Sequence, residues 1–358
     1  MNIAVFISPH GYGHAARASA VMAALHQLNP AIRFDIFTLV PEWFFHNALA
    51  GPFRYHPLLT DIGMVQDSAL QENIPATRRR LNEFLPFAPD QLAGLAGQLK
   101  DLACRLVICD IAPLGIAVAR TAGLPSVLIE NFTWDWLYQG YLDQDPAMGQ
   151  FIDYLGDLFQ AAEMRVQTEP LCDPQPAALT VPPISRAVRT EPAEIRRRLD
   201  LPLAAQVVMV TMGGIAWQYD DLSALEQHPT YYFIVPGAGQ AVERRGHLIA
   251  LPHHSPFFHP DLINASDAVM GKVGYSTIAE VYQAGIPFGY VARPQFRESD
   301  FLVAFIENHM PGRPVSAAAF ENGSWLAHLP DLLALPRSPR RKINVAEQVA
   351  ACIAATFL

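Results

Sequence analysis

Cysteine is scarce in this chain. The 358 residues hold four, Cys104, Cys109, Cys172 and Cys352. None forms a Cys-x-x-Cys pair or a metal-ligand spacing, so a disulfide framework and a zinc ribbon are excluded. Inert thiols in a reducing compartment are expected. Charge is sparse too, at 16% of residues, and tilted towards acid. There are 25 Lys and Arg against 34 Asp and Glu, a formal charge of −9. DNA- and RNA-binding chains need a basic face, so no nucleic-acid partner is expected. Long apolar runs are also missing, since a bilayer span needs about 20 such residues. Met1 to Ser8 is apolar, but it is short and lacks the basic start of a secretory leader. A cytoplasmic protein is expected. Arg78, Arg79 and Arg80 beside Phe84, Leu85 and Phe87 could meet an anionic membrane surface, but a solvated helix face is the preferred reading.

What is abundant is apolar material, 51% of the residues. At roughly 150 residues per domain, the length suits two domains with buried cores. Apolar strands at 3–7, 33–39, 106–109 and 126–129 alternate with helical patterns at 14–28 and 116–122. Such alternation implies a parallel sheet covered on both faces. Pro170, Pro174, Pro176, Pro182 and Pro183 then crowd one stretch, as in a stiff connection. Beyond it, strands at 207–211, 231–235 and 268–270 begin a second α/β pattern. The expected plan is a first domain at 1–168, a linker at 169–190, a second domain at 191–340 and a terminal helix within 341–358.

Two glycine-rich turns carry the chemistry. The first, Ser8-Pro9-His10-Gly11-Tyr12-Gly13-His14, follows a strand and opens a helix. Gly11 and Gly13 let backbone approach a ligand closely, and the helix start favours an anion. Gly11-x-Gly13-x-x-Ala16 also fits a dinucleotide fingerprint, but no acidic residue ends the second strand to bind ribose. His14 could accept a proton from an acceptor hydroxyl, or simply cap the turn. His10 stands open between the same two roles. Asp110, Asn131, Trp134 and Asp135 follow predicted strands of the same domain. Polar groups beside an aromatic face suit a sugar acceptor, although Trp134 could equally be core.

The second turn is Gly271-Lys272-Val273-Gly274-Tyr275-Ser276-Thr277-Ile278-Ala279-Glu280, with the helix ending at Gly285. Ser276 and Thr277 at a helix start suit a diphosphate. Glu280, one turn on, could accept hydrogen bonds from a ribose diol or be a solvated helix-face acid. His253 and His254 lack further ligands for a metal site. Asp143-Gln144-Asp145 has no strand before it to hold an acid pair rigid, so a solvated loop is expected there.

The second turn resembles the nucleotide-sugar site of GT-B glycosyltransferases. It is similar to the family that makes lipid II by N-acetylglucosaminyl transfer, through Gly274, Thr277, Glu280, Ala284, Gly285 and Pro287. The first turn is similar to that family through Gly11, Gly13 and His14. A closer resemblance is to the glycosyltransferase-like N-terminal region of L-arabinokinases. It runs through His10 to Arg17, Val65 to Ser68, Asn131 to Asp135 and Asp261 to Glu298. The kinase half of those proteins has no counterpart here. The resemblance implies an α/β GT-B fold, with two facing Rossmann-like domains and a cleft between them. It implies donor contacts at Gly213, Gly214, Gly274, Tyr275, Ser276, Thr277, Glu280 and Glu298. Acceptor-side contacts would be His10, Gly11, Gly13, Asp110, Asn131 and Asp135, with His14 catalytic. No metal and no cofactor are implied beyond a nucleotide-sugar donor. The expected reaction is inverting transfer to an unidentified acceptor. An epimerase or hydrolase on the same fold and a non-catalytic sugar-nucleotide-binding module are the alternatives, with a dehydrogenase further off.

Overall fold

The computed structural model describes residues 1–68, 71–213, 222–340 and 344–358. The chain divides into two compact units, Met1–Ser185 with Asn344–Leu358, and Arg186–Ile343.

The first unit is built on seven strands, β1 Asn2–Ile7, β2 Arg33–Thr38, β3 Phe53–Pro57, β4 Cys104–Asp110, β5 Ser126–Glu130, β6 Met164–Thr168 and β7 Leu179–Val181. Their order in the sheet is β3-β2-β1-β4-β5-β6-β7, and all neighbours are parallel. Strands covered on both faces need apolar side chains on both. Five of the six residues of β1 and all of β5 are buried accordingly. The proline-rich stretch expected as a linker contributes β7, hydrogen-bonded along β6. Prolines are tolerated beside an edge strand because one side of it donates to nothing.

Helix α1, Gly13–Leu28, leaves β1 and lies on this sheet. The sequence pattern gives it one apolar face at Ala20, Val21, Ala24 and Leu25. In the structure Ala15 through Met22 are all buried. The reason is α7, Val345–Phe357, which returns to the first unit and packs against α1. The alanines of α1 permit that close approach. Val349 and Ile353 of α7 are fully buried there, and each such burial contributes about 1.5–3 kcal/mol. The terminal helix is thus part of the first unit rather than a separate element.

In this unit α2 is Pro113–Ala122, α3 is Trp134–Gln139 and α4 is Gly149–Gln160. Cys104 and Cys109 are buried and behave as inert thiols. Burial pushes Cys104 up to about 12 and Cys109 further still, which removes the nucleophilic thiolate.

The second unit repeats the plan with β8 Val207–Thr211, β9 Tyr232–Pro236, β10 Glu243–Arg245, β11 Leu248–Leu251, β12 Ala268–Lys272, β13 Phe288–Val291 and β14 Gly312–Pro314. The order is β10-β11-β9-β8-β12-β13-β14, with only β10 antiparallel to its neighbour. Helix α5 is Tyr275–Ala284 and α6 is Glu298–His309. Gly271 in β12 faces the carbonyl oxygen of Thr211, where a Cβ would collide with backbone. No helix among the described residues is long and apolar enough to cross a membrane.

Strand order reverses once in each sheet, between β1 and β4 and between β8 and β12. Open parallel sheets bind ligands at the carboxyl ends of strands beside such a reversal. Both glycine-rich turns lie at these points.

Candidate active site

In the first unit, β1 delivers the turn Ser8–Tyr12 and then α1, while β4 ends at Asp110. The two meet through His14, whose Nδ1 lies 2.9 Å from Asp110 Oδ1. Asp110 is wholly buried. Burial alone would raise its carboxyl. The Arg17 charge and the hydrogen bonds from His14 and Arg17 outweigh this and hold it below the usual range. An ionised carboxylate only accepts, so the network puts a proton on His14 Nδ1, and in the neutral imidazole the lone pair is then on Nε2. Arg17 Nη2 is 3.4 Å from the same Nδ1, but a protonated nitrogen cannot accept it. The His14 side chain is 11% exposed, which is enough for one ring edge to meet a ligand. Ile111, directly after Asp110, has φ 42, a value that a β-branched residue rarely adopts. Such strain is common at working sites.

Gly11 has φ +74, and a Cβ there would meet nothing within 4 Å. Its glycine is therefore a backbone requirement and not a steric one. Gly11→Ala is expected to cost about 1–2 kcal/mol, read from the denaturant midpoint, without a change of fold. A cost near zero would show that the turn relaxes.

The other acceptor-side candidates separate. His10 stays at the site, its ring edge-on to Trp134 at a centroid distance of 5.3 Å, with its side chain packed under Gly63. Gly13 opens α1. Asn131 is fully buried, and its Oδ1 accepts from Arg17 Nη1 at 2.8 Å, so it braces Arg17 instead of facing an acceptor. Asp135 turns towards α4, where a Cβ on Gly156 would lie 3.5 Å from Oδ2. Burial raises its carboxyl. Asp110 likewise has no exposed surface and faces His14 and Arg17.

Two residues without a role in the sequence reading complete this cluster. Arg17 binds both oxygens of Asp110, Nε to Oδ2 at 2.8 Å and Nη2 to Oδ1 at 2.7 Å. Asp61 accepts from Ser8 Oγ at 3.0 Å and Trp134 Nε1 at 3.1 Å. Burial pushes Asp61 up to about 7, against those two hydrogen bonds. It fixes the Trp134 ring, 6.2 Å between centroids from that of His14.

In the second unit, β12 ends at Lys272 and α5 begins at Tyr275. This helix has no side-chain cap and no acidic residue in its first turn. Its dipole there favours an anion. A Cβ on Gly274 would meet nothing within 4 Å. Ser276 is partly exposed, and Tyr275 and Thr277 are buried. Gly213, at φ +76, turns the chain after β8, and its Cβ position is 3.9 Å from Lys272 Cε. Lys272 therefore runs beside the first turn of the sheet reversal. Gly214, expected as a donor contact, lies outside the described residues.

Glu280 is not a solvated helix-face acid. It is 4% exposed. Oε1 accepts from Arg186 Nε at 3.0 Å and Nη2 at 2.8 Å, and Oε2 from His259 Nδ1 at 2.7 Å. Burial opposes its charge, but Arg186 and His259 hold it below the usual range. A ribose diol could share only the Oε2 side, where His259 is 28% exposed. Arg186 and Arg189 both lie on the Phe258 ring, at 5.0 and 4.0 Å. Glu298 opens α6 and is also buried, 3.9 Å from Arg293 Nη2, where the sequence allowed a surface loop. Arg293 stacks on Phe296 at 3.8 Å.

This pair of reversals, each ending in a glycine turn and a helix, is the plan of the GT-B glycosyltransferases, and the chain has their fold. A UDP-glucosyltransferase from Polygonum tinctorium that glucosylates indoxyl, in complex with 3,4-dichloroaniline, superposes with a TM-score of 0.61 at 14% identity. The match covers 99% of this chain and 92% of that one. MurG of Acinetobacter baumannii superposes with a TM-score of 0.54 at 15% identity, covering 99% of both chains. In sequence, the chain is 27% identical to an L-arabinokinase of Arabidopsis thaliana over 354 residues. That match covers 96% of this chain but spans only 33% of the plant protein's length. No family model matches the chain.

Proposed function

We propose that this protein is a cytoplasmic glycosyltransferase that passes a sugar from a nucleoside diphosphate sugar to an acceptor hydroxyl, with inversion and without a metal. The observation that carries the reading is the His14–Asp110 pair at the reversal point of a GT-B first unit. In this reading the acceptor O–H donates to His14 Nε2. As the oxygen attacks the anomeric carbon, the bond to the diphosphate breaks and Nε2 takes the proton. Asp110 steadies the imidazolium that forms. One displacement from the face opposite the leaving group inverts the centre. The departing diphosphate gains charge, which Lys272 and the start of α5, with Ser276 and Thr277, would offset. Glu298 is read as a contact for the donor sugar.

The Polygonum protein is named for uridine diphosphate, which makes that nucleotide the first to try. Calorimetric titration with uridine, guanosine and thymidine diphosphates tests the reading, and no binding by any of them would overturn it. Lys272→Met should weaken the diphosphate that binds by about tenfold to a hundredfold, the range for a lost charge-assisted hydrogen bond. Unchanged affinity would remove Lys272 from the site. Incubation of a donor without acceptor separates transfer from hydrolysis or epimerisation by its products.

A further inference from the structure

Arg17 takes no part in the transfer step, yet it is the most heavily bonded cation of the first unit's site. It is 1% exposed and lies one helical turn from His14. Three of its guanidinium bonds hold Asp110 and Asn131. A carboxylate with no exposure needs a positive partner, because burial disfavours a lone charge. Two side chains in contact with Asp110 could supply it, His14 and Arg17. If His14 did so, it would hold a proton on both nitrogens, and no lone pair would remain at Nε2.

We propose that Arg17 is a positioning residue, the standing counter-ion of Asp110, which spares His14 that task and keeps Nε2 available as a base. The catalytic meaning of this rests on His14 being the base, but the charge assignment is testable without turnover. The planar guanidinium suits the role. It meets both oxygens of Asp110 at once and keeps its charge at any working pH. Other titratable groups face the cluster. His10 does so from the β1–α1 turn, Asp61 from the loop after β3 and Glu130 from the end of β5. Burial pushes Asp61 and Glu130 to about 7, so neither is a full negative charge near neutrality. None of the three brings a permanent positive charge that could stand in for Arg17.

The test is a pH titration of the full chain with labelled histidine, followed by NMR, with the His14 signals assigned by their loss in His14→Gln. In Arg17→Met, His14 should take up its second proton at a proton concentration about tenfold lower, or lower still, than in the parent. Arg17→Gln should show the same displacement, although its amide keeps hydrogen-bonding capacity towards Asp110 and Asn131. The double variant Arg17→Met with Asp110→Asn has no buried carboxylate to balance and should return to within about threefold of the parent. If Arg17→Met does not fold, Arg17→Gln decides. A folded variant that titrates within threefold of the parent would make Arg17 a structural brace and overturn the proposal. Failure of the glycosyltransferase reading would look different, as absent diphosphate binding with the His14 displacement intact.

Discussion

His14→Ala should lower the rate of sugar transfer by about a hundredfold to ten-thousandfold, the usual contribution of a positioned general base. Diphosphate affinity should change by less than about twofold, because His14 belongs to the first unit and Lys272 and α5 belong to the second. The two readouts separate a catalytic His14 from one that merely packs the turn. Its ring meets Phe132 edge-on and Trp134 at a tilt, at centroid distances of 6.5 and 6.2 Å, and neither ring is stacked on it. The variant should therefore fold. A variant that transfers sugar at the parental rate would assign the base elsewhere. One that loses rate and diphosphate binding together would mean a global defect.

Glu130→Gln should stabilise the protein increasingly as pH rises. Glu130 ends β5 with 1% exposure. Its Oε1 accepts from Gln167 Nε2 at 2.8 Å and faces Arg165 Nη1 at 3.4 Å. Its Oε2 has no hydrogen-bond partner among the described residues. Burial raises its carboxyl to about 7, with Gln167 and Arg165 opposing. The direction follows from the linkage of proton binding to folding. A carboxyl whose folded value lies above its unfolded 4.5 contributes fully at pH below 4.5. That contribution is lost as pH rises towards 7, by about 1.4 kcal/mol per unit. Glutamine keeps the acceptor for Gln167 and carries no charge at any pH. The variant should match the parent near pH 4 and exceed it by about 3 kcal/mol near pH 8, by urea unfolding. A difference that does not vary between those pH values would contradict the assignment.

The parallel strands were legible in the sequence because burial on both faces leaves short, continuous apolar runs, as in Val207–Thr211 and Ser126–Glu130. The two glycine turns were legible because each interrupts such a run just before a helix. The partners of the charged residues were not. Arg17 looks like one polar residue on an alanine-rich helix, and only the fold brings it to Asp110, 93 residues away. Arg186 sits among prolines and reaches Glu280 across 94 residues. Local pattern carries no record of pairs so far apart. For Glu280 the sequence left a ribose contact and a solvated helix-face acid both open, because its burial depends on Arg186 and His259 from other segments. Lys272 did leave a local sign, a charge ending the apolar strand Ala268–Lys272 directly before the glycine loop. The seventh strand of the first sheet was hidden because Pro174, Pro176 and Pro182 around it look like a linker, and only pairing with β6 shows it to be an edge.

A crystal structure of the full chain grown with uridine diphosphate bears most directly on the proposed donor site. The two phosphates should lie within about 3 Å of Lys272 Nζ and the backbone N–H groups at the start of α5. Density for the nucleotide anywhere else, with Lys272 and Ser276 untouched, would contradict it.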